Sequence, residues 1–163
     1  MIELTSSFVS DPEPLATAYS NTPGVFESRF TSRGLGVGTT RVFEMDVDSR
    51  HPRLTLASMG VNTNDMFAAI NGECIVDGRV FLLEPLDAGS EANTELCSEI
   101  PGPACRDMNP NNANPSQGAE GFVHVHPGVS GFKGDLDFEN NFNGPVLRVT
   151  ISRRPFEGLE VFV

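Results

Sequence analysis

The sequence has no tryptophan, a single tyrosine and few basic residues, and it contains no long apolar run. Eleven Lys and Arg residues stand against 22 Asp and Glu, which gives a formal net charge of −11. Nucleic acids and anionic membranes attract Lys and Arg, so this balance argues against either as a partner and favours cations or basic partners. No apolar run approaches the roughly 18 residues of a membrane span, so we expect no membrane insertion.

Cysteine is scarce as well, with three residues in the chain. Cys97 and Cys105 bracket a segment whose centre, Pro101-Gly102-Pro103, must turn and can bring the two sulfurs together. A disulfide there would contribute about 2.5 kcal/mol in the chain-entropy model. The alternative is a pair of free buried thiols in a reducing compartment. Cys74 is predicted to be a small buried apolar residue.

The disulfide prediction also bears on the compartment. The start of the chain, Met1 to Leu4, lacks the basic and apolar regions of a signal peptide. The alternatives are therefore a cytosolic protein and a secreted or periplasmic one whose leader is absent from this sequence. A disulfide favours the secreted or periplasmic protein.

Short alternating runs indicate an all-β fold. From Arg41 to Asp48, Phe43, Met45 and Val47 fall on one face, which is the period of a half-buried strand. Arg53 to Met59 is predicted to be its hairpin partner. Further strands are predicted at residues 66–70, 79–83, 121–126, 146–152 and 159–163. We expect a single domain over residues 1–163, with an irregular stretch over 1–40, folded as an antiparallel β-sandwich of about eight strands.

Acidic residues crowd the middle of the chain. Residues 61–100 hold eight acids against one base, Arg79. Calcium prefers six to eight oxygen ligands, usually including several carboxylates. Asp87 and Glu91 flank a glycine turn, and Asp65 can join them from a neighbouring loop, so the pattern indicates one calcium ion. The alternative is that these acids cap turns.

Two histidines indicate a second possible metal site. His124 and His126 are two residues apart in a predicted strand, so their side chains leave the same face and could bind copper or zinc. Val123 and Val125 would then point into the core. A third ligand could come from Glu95, Glu120 or Asp135. The alternative is a pair of hydrogen-bonded histidines, and because no convincing catalytic set is present, we do not expect an enzyme.

Several of these segments together resemble the spondin N-terminal domain, whose animal members include F-spondin and mindin. The resemblance covers about residues 42–152 and is carried by Asn64-Asp65-Met66-Phe67, Asp87-Ala88-Gly89-Ser90-Glu91-Ala92-Asn93-Thr94-Glu95, the loop from Cys97 to Cys105, and Glu120-Gly121-Phe122-Val123-His124-Val125-His126.

The resemblance implies a C2-like antiparallel β-sandwich that is secreted and binds one calcium ion. By position, the calcium ligands would be Asp65, Asp87 and Glu91. It also implies a role in extracellular adhesion or recognition, with a protein or glycan as the partner. A metalloenzyme or a copper or zinc protein built on His124 and His126 is the alternative.

The N-terminal part departs from the family pattern. Family members have an additional strand pair before the matched region, whereas this chain offers only Ile2 to Val9. An exposed sheet edge invites pairing. We therefore expect the terminal strand, residues 159–163, to pair with Ile2 to Val9 in a monomer or with a second chain in a homodimer.

Overall fold

The fold is given by a computed structural model, which describes residues 17–18, 21–29, 31, 34–100, 102–108, 116–131, 133–136, 142, 144–154 and 158–162. The strands are β1 (Val42–Met45), β2 (Arg53–Met59), β3 (Met66–Cys74), β4 (Val80–Leu83), β5 (Leu86–Asp87), β6 (His124–Val125), β7 (Leu147–Arg154) and β8 (Gly158–Phe162). One 3-10 turn spans Pro103–Cys105. In the part of the chain described, no helix is long and apolar enough to cross a membrane.

The strands form two four-stranded sheets, with the orders β1-β8-β7-β4 and β2-β3-β5-β6. The pairings of β1 with β8, β8 with β7, β7 with β4, β3 with β5 and β5 with β6 are antiparallel. The prediction of an all-β protein is therefore confirmed. The chain also divides into two compact units, and the single domain stays a prediction.

Unit 1 comprises Met1–Ser58, Ala69–Leu83 and Leu147–Val163. In β2 the expected alternation holds, since Leu54 and Leu56 are buried while Thr55 between them is partly exposed. Each fully buried side chain of this kind stabilises the fold by about 1.5–3 kcal/mol. The buried apolar residues of unit 1 are Met45, Leu54, Leu56, Ile70, Leu83, Val149 and Ile151.

The predicted hairpin between β1 and β2 is wrong. The turn between them is tight, because the Asp48 carboxylate accepts hydrogen bonds from the backbone N–H groups of Arg50 and His51 and from the Arg50 guanidinium. The hydrogen bond from Arg50 also lowers the pKa of Asp48. However, β1 pairs with β8 and β2 belongs to the other sheet. Alternation identifies a strand, but its neighbour in the sheet is determined by long-range packing.

The terminal strand is not a sheet edge, contrary to our expectation. β8 lies between β1 and β7, with Val161 opposite both Phe43 and Ile151. Its backbone groups therefore have partners on both sides without a second chain. The predicted N-terminal partner, residues 2–9, lies outside the described residues.

Unit 2 comprises Met59–Ala68 and Glu84–Val146. Its buried apolar cluster contains Cys97, Ile100, Cys105, Val129 and Leu136, with Phe142 packed against it. Cys97 and Cys105 form a disulfide, as the Pro-Gly-Pro turn predicts. Cys74 is free and exposed, so its predicted burial is wrong: it falls at the end of β3, where the strand is exposed.

The cysteine arrangement gives a direct prediction. Alkylation of the unreduced, folded protein should modify Cys74 alone, because Cys97 and Cys105 are bonded and buried. Mass spectrometry of the intact protein should show one added group, mapped to the peptide that carries Cys74. Three added groups would show that the disulfide is absent.

Candidate functional site

Strand pairing in unit 2 brings the predicted acidic residues together. Met66 in β3 lies opposite Asp87 in β5, so Asp65 and Asp87 are close neighbours. The Asp65 carboxylate then reaches the following loop, where its Oδ2 accepts hydrogen bonds from Ser90 N (2.7 Å), Ser90 Oγ (2.8 Å) and Glu91 N (3.0 Å). The structure thus joins Asp65 to the loop that carries Asp87 and Glu91.

The second oxygen of the same carboxylate has no partner. Asp65 is buried, and its Oδ1 accepts no hydrogen bond from any described residue. The neighbouring Asn64 is also buried, and its Nδ2 donates none, although its Oδ1 lies 3.5 Å from the N–H donor of Glu95. An unsatisfied buried polar atom costs about 1–3 kcal/mol, and more if it is charged. A hydrogen-bond acceptor at Asn64 Nδ2, or a donor or cation at Asp65 Oδ1, would therefore stabilise the fold.

Glu91 lies at the same place. Its Oε2 accepts a weak hydrogen bond of 3.4 Å from Ser116 N. Burial raises the pKa of Glu91, and the negative charges of Asp65 and Glu99 raise it further. The charged form of Glu91 is therefore disfavoured near Asp65, and a cation bound by both carboxylates would favour it.

Asp87 is fully buried and is part of the loop framework. Its Oδ1 accepts a hydrogen bond from Gly89 N (2.8 Å), and its Oδ2 accepts one from Asn93 Nδ2 (2.5 Å). His124 Nε2 lies 3.7 Å from Oδ2, beyond hydrogen-bond distance. A carboxylate oxygen has two lone pairs, so these hydrogen bonds leave Asp87 able to contact a cation as well.

The acidic set suits a hard cation in its chemistry, although it is not assembled as a ready cage. Asp65, Asp87 and Glu91 offer only oxygen, which is the ligand atom that calcium prefers. Within the described ranges, no three or more His, Cys, Asp or Glu side chains are grouped so that they could hold a metal ion. The orphaned Asp65 oxygen is the atom that fits a cation best.

His126 belongs to a hydrogen-bond network instead. Its Nδ1 accepts a hydrogen bond from Gly128 N (3.0 Å), so its Nε2 carries the proton and donates to Asn93 Oδ1 (3.1 Å). Asn93 in turn donates to Asp87. Burial lowers the pKa of His126, although the charges of Asp87 and Asp65 oppose this effect. Both ring nitrogens of the neutral imidazole are therefore engaged, and binding of a metal would break one of these bonds.

The strand carrying the histidines is oriented opposite to our prediction. His126 is buried, whereas Val123 and Val125 are exposed by 57% and 66%. Alternation places successive side chains on opposite faces, but it does not say which face is buried. In β6 the histidine face is the buried one, because His126 forms hydrogen bonds with Asn93 and Gly128. A cavity of about 10 Å³ beside Asn64, Asn93 and His126 has room for about one water molecule and is too small for an organic substrate.

Two of the three proposed additional metal ligands have structural roles. The Glu95 carboxylate accepts hydrogen bonds from Ser130 N (2.8 Å), Ser130 Oγ (2.8 Å) and Gly131 N (3.1 Å). Asp135 Oδ2 accepts one from Cys97 N (2.9 Å). Glu120 is exposed in the segment before β6.

Comparison with protein-family models, with curated proteins and with solved structures finds no match. Function must therefore be argued from the geometry of the chain itself.

Sequence reasoning missed Asn93 and Ser130 as structural residues. Asn93 joins Asp87 to His126, and Ser130 lies 35 positions from the glutamate to which it donates. The local sequence carries no signal for pairs so far apart. The adjacent Asn64 and Asp65, by contrast, are polar residues directly before an apolar strand, which could have suggested a buried polar turn.

Proposed function

We propose that this chain is a secreted calcium-binding β-sandwich module that acts in extracellular adhesion or recognition and is not an enzyme. The observation that carries the proposal is the orphaned Oδ1 of Asp65, a buried carboxylate oxygen on a residue whose other oxygen binds the loop that carries Asp87 and Glu91. One calcium ion held by Asp65, Asp87 and Glu91 would satisfy that oxygen and neutralise part of the local negative charge. The ion would link the loop that carries Asp65 to the loop that carries Asp87 and Glu91.

Three further features support the proposal. Two antiparallel sheets are consistent with the finer fold we propose, a C2-like sandwich like that of the spondin N-terminal domain. The disulfide between Cys97 and Cys105 fits an oxidising compartment such as the extracellular space or the periplasm. Extracellular recognition, with a protein or glycan partner, follows from the resemblance over residues 42–152.

The alternative of copper or zinc at His124 and His126 has less support. His126 would have to give up its hydrogen bond to Asn93 or the one from Gly128. The candidate third ligands Glu95 and Asp135 already accept hydrogen bonds from Ser130 N and Cys97 N. In the calcium set, by contrast, the Oδ1 atom of Asp65 has no hydrogen bond that a metal would break.

The calcium site is tested best through Glu91. Asp65 and Asp87 also hold the loops together, so their substitution would destabilise the protein with or without calcium. Glu91→Gln removes a charge and leaves the main loop bonds in place. Calcium at ten times its dissociation constant should stabilise the wild-type protein by about 1.4 kcal/mol, which raises the melting temperature by a few degrees.

The expected result is that Glu91→Gln loses most of this calcium-dependent shift while melting normally in chelator. Glu73→Gln is the matched control, because it removes the same charge from unit 1, where Glu73 forms a salt bridge with Arg79. Isothermal calorimetry should give one calcium per chain. Identical melting of the wild-type protein in calcium and in chelator would refute the site.

A further inference from the structure

β6 is the outer strand of its sheet, and its free edge offers hydrogen-bonding groups. His126 N donates to Pro85 O (3.1 Å), and Val125 lies opposite Leu86. In an antiparallel ladder, hydrogen-bonded and non-hydrogen-bonded pairs alternate. Pro85 and His126 form a hydrogen-bonded pair. The next pair, Leu86 and Val125, is therefore non-hydrogen-bonded, so the N–H and C=O of Val125 point away from β5. Among the described residues, no hydrogen bond outside the ladder reaches these two groups.

An apolar row leads across the sheet to this edge. Phe67 in β3 lies opposite Leu86 in β5, and Leu86 lies opposite Val125 in β6. Phe67 and Leu86 are half-buried, and Val125 and Val123 are exposed. Monomeric proteins protect an edge with lysine, proline or a very short strand; β6 has two residues, but the segment Phe122-Val123-His124-Val125 contains neither lysine nor proline.

Charge distinguishes the possible occupants of the edge. Unit 2 contains eleven acidic residues and two basic ones, whereas unit 1 contains eleven and nine, so most of the excess negative charge belongs to unit 2. Glu84 and Glu120 are exposed in the segments that lead into β5 and β6. A second copy of this chain would bring two such acidic surfaces together, whereas a basic segment would be attracted.

We propose that the β6 edge binds an extended, basic segment of another protein as an additional antiparallel strand. The backbone of the segment pairs with Val125, its apolar side chains extend the row of Phe67, Leu86 and Val125, and its Lys or Arg side chains lie near Glu84 and Glu120. This inference rests on the recognition role proposed above and does not depend on the calcium site.

The first test uses a fluorescein-labelled peptide of eight residues in which lysine and valine alternate. Fluorescence anisotropy should show binding at least tenfold tighter than that of a peptide in which glutamate replaces lysine. A third peptide, with N-methylated valines, keeps the charge and the apolar side chains but lacks the amide donors of one edge. It should bind at least tenfold more weakly than the first, and equal binding would reduce the interaction to unspecific charge attraction.

The second test changes the protein. Val125→Pro removes the outward N–H without touching the ladder to β5, and proline is tolerated at such edge positions. The matched control is Val80→Pro on β4, the outer strand of the other sheet. There Ile151 N donates to Arg79 O (2.9 Å), so Val80, opposite Thr150, also directs its N–H outward, and its side chain is exposed. Val125→Pro should weaken binding of the lysine–valine peptide at least tenfold, and Val80→Pro should leave it unchanged.

Equal effects of the two substitutions would overturn the proposal. So would sedimentation showing that the wild-type protein dimerises and that Val125→Pro makes it monomeric, since the occupant would then be a second copy. If Val125→Pro does not fold, the three peptides decide the matter on the wild-type protein alone. Calcium calorimetry on the same samples keeps the two proposals apart: peptide binding without calcium binding would refute the calcium site only, and the reverse would refute the docking edge only.

Discussion

Replacing Gly89 with alanine should lower the free energy of unfolding by about 2–4 kcal/mol. Gly89 has a φ of +67°, where a side chain is strained, and a Cβ there would overlap the carbonyl oxygen of Phe122. Gly89 also donates its N–H to Asp87 and accepts a hydrogen bond from Gly121 N (2.8 Å). The added methyl group would therefore push apart the acidic loop and the segment leading to β6.

Gly78→Ala is the control for this substitution. Gly78 has a φ of +76°, but a Cβ there would meet nothing within 4 Å. Gly78→Ala should lower the free energy of unfolding by about 1 kcal/mol, because only backbone strain is added. Urea denaturation of both variants measures the difference, and equal losses would show that the contact with Phe122 is not tight in solution.

Replacing Glu95 with alanine should cost about 2–4 kcal/mol at neutral pH. Glu95 is 4% exposed, and its carboxylate accepts hydrogen bonds from Ser130 N, Ser130 Oγ and Gly131 N, which alanine would leave unpaired. Glu99→Ala is the matched control, because Glu99 accepts a hydrogen bond from Thr94 Oγ1 (2.6 Å) and is only partly buried. Glu99→Ala should lower the free energy of unfolding by less than about 1 kcal/mol.

The Glu95 effect should also depend on pH. Burial acts to raise the pKa of Glu95, but the hydrogen bonds from Ser130 and Gly131 outweigh it and lower the pKa. A carboxyl group with a lowered pKa stabilises the folded state above its ordinary pKa, and this stability is lost as the pH falls through the folded-state pKa. The difference in the free energy of unfolding between the wild-type protein and Glu95→Ala, measured by urea denaturation, should therefore be smaller near pH 3 than near pH 7. A constant difference would mean that the ionised carboxylate is not the stabilising form.

Local patterns in the sequence predict the strands well and their neighbours poorly. The bounds of β2, Arg53 to Met59, agree with the prediction, and Leu54 and Leu56 alternate with Arg53 and Thr55 at its start. β5 was missed, since two residues are too few to show a period. The pairing of β1 with β8 could not be read from either segment, because a ladder depends on backbone groups that every residue carries.

The candidate site shows the same limit. A glycine turn between Asp87 and Glu91 is a local signal, and the structure does bring Asp65 to that loop. The orientation of β6 was predicted wrongly because His126 is buried through hydrogen bonds to residues distant in the sequence. Apolar side chains are assumed to point inward, and a satisfied polar network can reverse that assumption.

The pairing of Val42 with Phe162 has a consequence for how the protein is made. These residues are 120 positions apart, and β1 is the outer strand with β8 as its neighbour in the sheet. A ribosome adding roughly 5–20 residues per second needs about 6–24 s between the two strands, so β1 waits that long for its partner. Contacts this distant also slow refolding, because a long loop must close before the ladder forms. During this interval the edge of β1 that faces β8 has no strand to pair with, and the nascent chain is exposed to chaperones and to aggregation until β8 emerges.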